Sequence, residues 1–89
     1  MIGAVEFALS VPVQFGSESV DRITLQPPKG KHIRDMPLEP GIGYMMTIAS
    51  RISGRPPSFF DEMAAEDVTE LSAVVSGFLT RSRPIGPTS

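Results

Sequence analysis

The residues of this chain with reactive potential are ten carboxylates, eight lysines and arginines and a single histidine, His32. Five of the acids, Asp61, Glu62, Glu66, Asp67 and Glu70, crowd into one short stretch. Paired carboxylates can exchange protons with a substrate or hold a divalent cation, but a calcium loop needs oxygen ligands at alternate positions around a glycine. This stretch has neither that spacing nor a glycine. Acids at a helix start favour the helix dipole and solvate its outer face, and that bland role accounts for the cluster. The absence of cysteine excludes disulfides and thiolate metal sites, and one histidine is too few for an imidazole zinc centre. His32 has no accompanying nucleophile motif and reads as a loop residue. Around it, "PPKGKHIR" gathers Lys29, Lys31, His32 and Arg34. Gly30 alone, with no helix following, does not make a phosphate loop. A solvated loop is the plain reading, and an acidic protein partner is the functional alternative. The formal net charge of −2 argues against a nucleic-acid footprint.

With no catalytic constellation, the elements themselves carry the argument. At 89 residues, one domain is expected, with residues 1–80 as its body and 81–89 as a polar, proline-broken flexible tail. Hydrophobic residues at 40% exclude a disordered chain, while nine prolines and eight glycines imply short elements. The start, "MIGAVEFALSVPV", lacks a basic leader region, carries Glu6 and is interrupted by Pro12, so it does not resemble a secretion signal. No apolar run is long enough to span a membrane, and a soluble, cytoplasmic protein is expected.

From Val5 to Phe15 the odd positions are all apolar, the period of a half-buried strand. Pro12 cannot donate to a ladder, so the strand is expected to be an edge or to break there. Gly16 to Ser19 supplies a turn, and "VDRITLQPP" follows as the second strand of an antiparallel hairpin. Lys29 to Gly41 shows no period and reads as a loop. Met45, Ile48, Ala49 and Ile52 then share one helix face, with Gly54 placed to end the helix and Pro56 and Pro57 preventing its continuation. Ser58 is expected to cap a short helical turn through Met63, with Asp61 as its acidic capping partner. From about Ala65 to Leu79, the residues Val68, Leu71, Val74, Val75, Phe78 and Leu79 fall within an arc of about 140°. Ala64 is a poor cap, so Asp67 and Glu66 are expected to satisfy that helix's own first amides. The fold class is α+β: a hairpin, two main helices and a short connecting helical turn.

The apolar residues exceed what one packing face requires. Met45 and Met46 are adjacent and project about 100° apart on a helix. Tyr44 flanks them, and Phe59, Phe60 and Met63 add large side chains nearby. Methionine suits surfaces that accept varied apolar partners. Tyr44, Met45, Met46, Phe59, Phe60 and Met63 are therefore candidates for a partner-binding surface, with core packing as the alternative for each.

Taken in order, these motifs resemble a known family. Ile52-Ser53-Gly54-Arg55-Pro56, an apolar pair, then Asp67, Leu71, Val75, Phe78 and Leu79 resemble the C-terminal half of tail assembly chaperones of Mu-like and related contractile-tailed phages and prophages. The front half is similar too, through Val20, Ile23, Thr24, Leu25 and Pro28, so the resemblance runs from Phe7 to Leu79. Gly54, Pro56, Asp67, Leu71, Val75, Phe78 and Leu79 are its structural signature. The resemblance implies a non-enzymatic protein without a cofactor. It would coat the tape-measure protein in the host cytoplasm, keep it assembly-competent until tail-tube subunits polymerise around it, and be absent from the mature virion. It also implies, as further partners, a frameshift-extended form of the chain, the tail-tube protein, or a second copy in a homo-oligomer, the exposed hairpin edge being a candidate self-association surface. A structural tail or neck component retained in the virion is the alternative.

Overall fold

The computed structural model of the chain describes residues 3–81, and the expected tail at 82–89 lies outside them. Two antiparallel strands, β1 (Val5–Phe15) and β2 (Glu18–Leu25), form a two-stranded sheet. A single 3-10 turn, Gly30–His32, interrupts the connection to three helices: α1 (Ile42–Ser53), α2 (Pro57–Asp61) and α3 (Ala65–Arg81). The α+β class holds.

The hairpin turn is tighter than the sequence suggests. Phe15 pairs with Glu18, so Gly16 and Ser17 alone make the turn, and Glu18 and Ser19 already belong to β2. Gly16 has φ 65°, and it is the one turn residue with positive φ. A glycine in that first position matches the twist of the two flanking strands. β2 ends at Leu25, before the two prolines, which have no N–H to offer a ladder.

Pro12 does not end β1 but breaks its pairing. Ala8 pairs with Arg22 and Val13 with Val20, so five residue steps on β1 face two on β2. The surplus residues bulge out of the ladder. Phe7, Leu9 and Val13 still point into the core, but the bulge turns Val11 outward, contrary to the simple odd-position pattern.

α1 and α3 pack against each other and against the buried side of the hairpin. Met45, Ile48, Ala49 and Ile52 line α1's inner face, as the spacing predicts. α1 ends at Gly54, whose φ of 79° and N–H bond to the Ser50 carbonyl (3.1 Å) close the last turn. The Gln26 N–H donates to the Ile52 carbonyl at 3.0 Å, tying the end of β2 to the end of α1. The cap of α2 differs from expectation. Pro56 is the N-cap residue with Pro57 in the first turn, and no side chain caps it; Ser58 and Asp61 lie inside the helix. Proline's fixed φ and missing N–H suit a first helical turn, and that preference displaces the serine.

Asp67 also differs from its expected role. It is buried at 2% exposure on α3, and its acceptors serve β1. Its Oδ1 accepts from the Ser10 N–H (3.1 Å) and the Ser10 hydroxyl (2.8 Å), and its Oδ2 accepts from the Val11 N–H (3.2 Å). These amides belong to the bulge that Pro12 forces out of the ladder, and a buried carboxylate replaces the missing strand partner. Burial pushes the carboxyl pKa up, but the bonds from Ser10 and Val11 outweigh it and hold the group below its ordinary value.

Candidate functional site

The six apolar candidates divide by depth. Phe59, Phe60, Met45 and Met63 are buried in the core, while Tyr44 and Met46 are half-buried against it. α2 follows Pro56 and Pro57 and lies against the turn end of the hairpin, where Phe15 and Glu18 flank Gly16 and Ser17. Phe59 meets Phe15 edge-on at 5.6 Å and Phe60 at 5.3 Å between centroids. The Arg55 guanidinium lies 5.1 Å above the Phe59 ring and pairs with Glu18 at 3.4 Å, closing the outside of that cluster. Met45 receives the Ser76 hydroxyl at its sulfur, 3.7 Å away. In the folded chain these four side chains are therefore core rather than surface. Met46 reaches a shallow hollow of about 170 Å³ shared with Gly43, Thr47, Pro57, Phe60 and Asp61.

The exposed apolar surface lies elsewhere. Met36, Leu38 and Ile42 project from the connection into α1, and Leu38 is fully exposed. Met36 and Leu38 lie in the loop with Pro37 and Pro40, and Ile42 opens α1; exposed apolar side chains this close along the chain are of the kind that contacts partners. Sequence spacing gave this segment no period and hence no face. The available signal was the reverse one, apolar residues where no element could bury them.

A charged latch holds the loop to α1. Arg51 grips Asp35 with both arms, at 2.9 and 3.1 Å, and donates to the His32 carbonyl at 2.8 Å. The Tyr44 hydroxyl donates to the same Asp35 carboxylate at 2.8 Å. Tyr44 and Arg51 are two helical turns apart and so share a face, with the guanidinium 6.0 Å from the ring. The bonds from Arg51 and then Tyr44 keep the Asp35 carboxyl well below the usual range, so the latch stays charged through the physiological range. Burial and the Asp35 contact push the Tyr44 phenol up.

Two clefts flank this loop and share Pro28 and Lys29. One, about 340 Å³, is walled by Gln26, Lys31, His32 and Arg51. The other, about 390 Å³, is walled mainly by Ile33, Met36 and Leu79. The Lys29 N–H donates to His32 Nδ1 at 2.8 Å. Partial burial, then the charges of Lys31, Lys29 and Arg51, lower the His32 pKa, so the imidazole is neutral at pH 7.

The acids of the 61–70 stretch do not converge on a reactive centre: among the described residues, no group of three or more His, Asp or Glu is placed to hold a metal ion. No described helix is long and apolar enough to cross a membrane. The described surface carries an exposed apolar loop, a cleft with basic walls and a charged latch. The chain belongs to the family of phage tail assembly chaperone proteins, E, or 41 or 14, whose profile matches residues 6–80. No curated protein and no solved structure matches it.

Proposed function

We propose that this chain binds the tape-measure protein and keeps it soluble and assembly-competent until tail-tube subunits polymerise around it. Family membership supports a role in tail assembly. The observation that carries the binding surface is the exposed apolar run Met36, Leu38 and Ile42, latched by Asp35, Tyr44 and Arg51. A non-enzymatic holding protein needs such adaptable apolar contacts and no reactive group. Tyr44 joins this surface through its bond to Asp35, while Phe59, Phe60, Met45 and Met63 serve the core. The work takes place in the host cytoplasm, with the chain released before the virion matures. A frameshift-extended form of the chain and the tail-tube protein are its further partners in this scheme.

Co-expression with the cognate tape-measure protein tests the proposal. Soluble complex is expected with the wild-type chain and much less with Leu38→Asp combined with Met36→Asp. A tape-measure protein that stays insoluble, with no complex, would overturn the reading. Recovery of the chain from purified mature virions would favour a retained structural component instead.

A further inference from the structure

The two clefts that meet at Pro28 and Lys29 differ sharply in chemistry. One presents Ile33, Met36 and Leu79, the other sets Lys31, His32 and the Arg51 flank beside Pro27 and Ile52. Among the described residues the basic side is only partly neutralised. Lys29, Lys31 and Arg34 take part in none of the ion pairs of the described residues, and no acidic residue lies between Gln26 and Arg34. Three of the eight basic residues thus fall within six positions of a chain whose net charge is −2. Arg51 differs, since Asp35 already holds its guanidinium. The lowered pKa of His32 reports the same positive field, with Lys31, Lys29 and Arg51 all acting on one imidazole beyond the effect of burial.

We propose that the segment this surface recognises is an acidic amphipathic helix, its apolar stripe in the Ile33–Met36–Leu79 cleft and its flanking carboxylates over Lys29 and Lys31. This rests on the tape-measure reading for which protein carries the segment, not for the segment's chemistry. An α-helix is about 10–12 Å across with its side chains, so one seated in the apolar cleft lays its flank over the adjoining basic one. Helix-in-groove docking supplies the apolar anchor, and charge complementarity sets register and excludes basic segments. A nucleic acid is the poorer occupant, because the cleft beside the lysines is aliphatic and offers no ring on which a base could stack.

Two synthetic helical peptides of about 18 residues, long enough to hold helix, decide the matter. They share one leucine stripe and differ only in carrying Glu or Lys along its flanks. With the full chain, the Glu-flanked peptide is expected to bind about tenfold tighter and to weaken as salt rises. Lys29→Glu combined with Lys31→Glu, both at exposed positions, removes that preference and restores binding of the Lys-flanked peptide. His32 is the one histidine, so its NMR titration reads the cleft directly; its pKa rises when carboxylates arrive. Equal binding of the two peptides, indifference to the double variant, or an unmoved His32 would overturn the inference while leaving tape-measure capture intact. Tighter, competing binding of a DNA oligonucleotide would overturn it too. So would salt-sensitive self-association of the chain that the double variant abolishes, because the groove would then belong to a second copy. Loss of tape-measure binding with the peptide preference retained would instead overturn only the choice of client.

Discussion

Replacing Asp67 by alanine is the most discriminating single perturbation of this fold. It removes a buried acceptor pair on which the Ser10 N–H, the Ser10 hydroxyl and the Val11 N–H converge. A hydrogen bond to a charged group contributes about 1.5–3 kcal/mol, and three sharing one carboxylate are not additive. Ser10 and Val11 are exposed, so water recovers part of what their donors lose. A net loss of about 2–4 kcal/mol follows, against roughly 4–12 kcal/mol for a domain of this size. With a urea slope of about 1 kcal/mol/M for so small a protein, the midpoint should fall by about 2–4 M. Circular dichroism during urea titration measures it. Asp67→Asn should fall less, by about 1–2 kcal/mol, since its oxygen can still serve Ser10 while its amide opposes the Val11 N–H. The pH dependence carries a sign as well. The folded pKa of Asp67 lies below its ordinary 3.8, so its contribution is complete above that value and is lost as pH falls through the folded one. The asparagine variant should lack that part of the acid limb. An alanine variant with an unchanged midpoint would refute the reasoning and mean that the bulge needs no acceptor from α3.

The remaining predictions concern the cap, the core and the loop. Gly54→Ala should cost about 1–2 kcal/mol by thermal or urea unfolding, entirely from the left-handed backbone, because a Cβ there meets nothing within 4 Å. Phe59→Ala should cost about 3–5 kcal/mol and broaden or abolish the cooperative transition, since the ring is fully buried between Phe15 and Phe60. Leu38→Asp should leave the unfolding midpoint unchanged and still reduce capture of the tape-measure protein in a pull-down, because its side chain touches solvent alone in the folded chain. Arg51→Ala should speed amide exchange over residues 29–40 without moving the global midpoint, since it frees the loop through Asp35 and the His32 carbonyl while the core stays packed.

Local periodicity determined most of the architecture. The alternation from Val5 to Phe15 made β1, the i, i+3, i+4, i+7 stripe made α1, and Val68 to Leu79 made the inner face of α3, because each pattern has one low-energy way to hide its apolar side. Gly54 and the prolines after it punctuated the chain as their backbone preferences require. What periodicity could not decide was depth and partnership. Phe59 and Phe60 sit in a helix too short to declare a face, and only the closure of α2 over Phe15 sends both rings inward. Pro12 in a strand and Asp67 on an apolar stripe looked like separate irregularities; the fold joins Asp67 to the bulge beside Pro12 through Ser10, 57 positions away, where each resolves the other. The proposed binding surface follows the same logic in reverse. Met36 and Leu38 are exposed in the loop that the Asp35–Arg51 latch ties to α1, and a contact across 16 positions leaves no trace in local spacing.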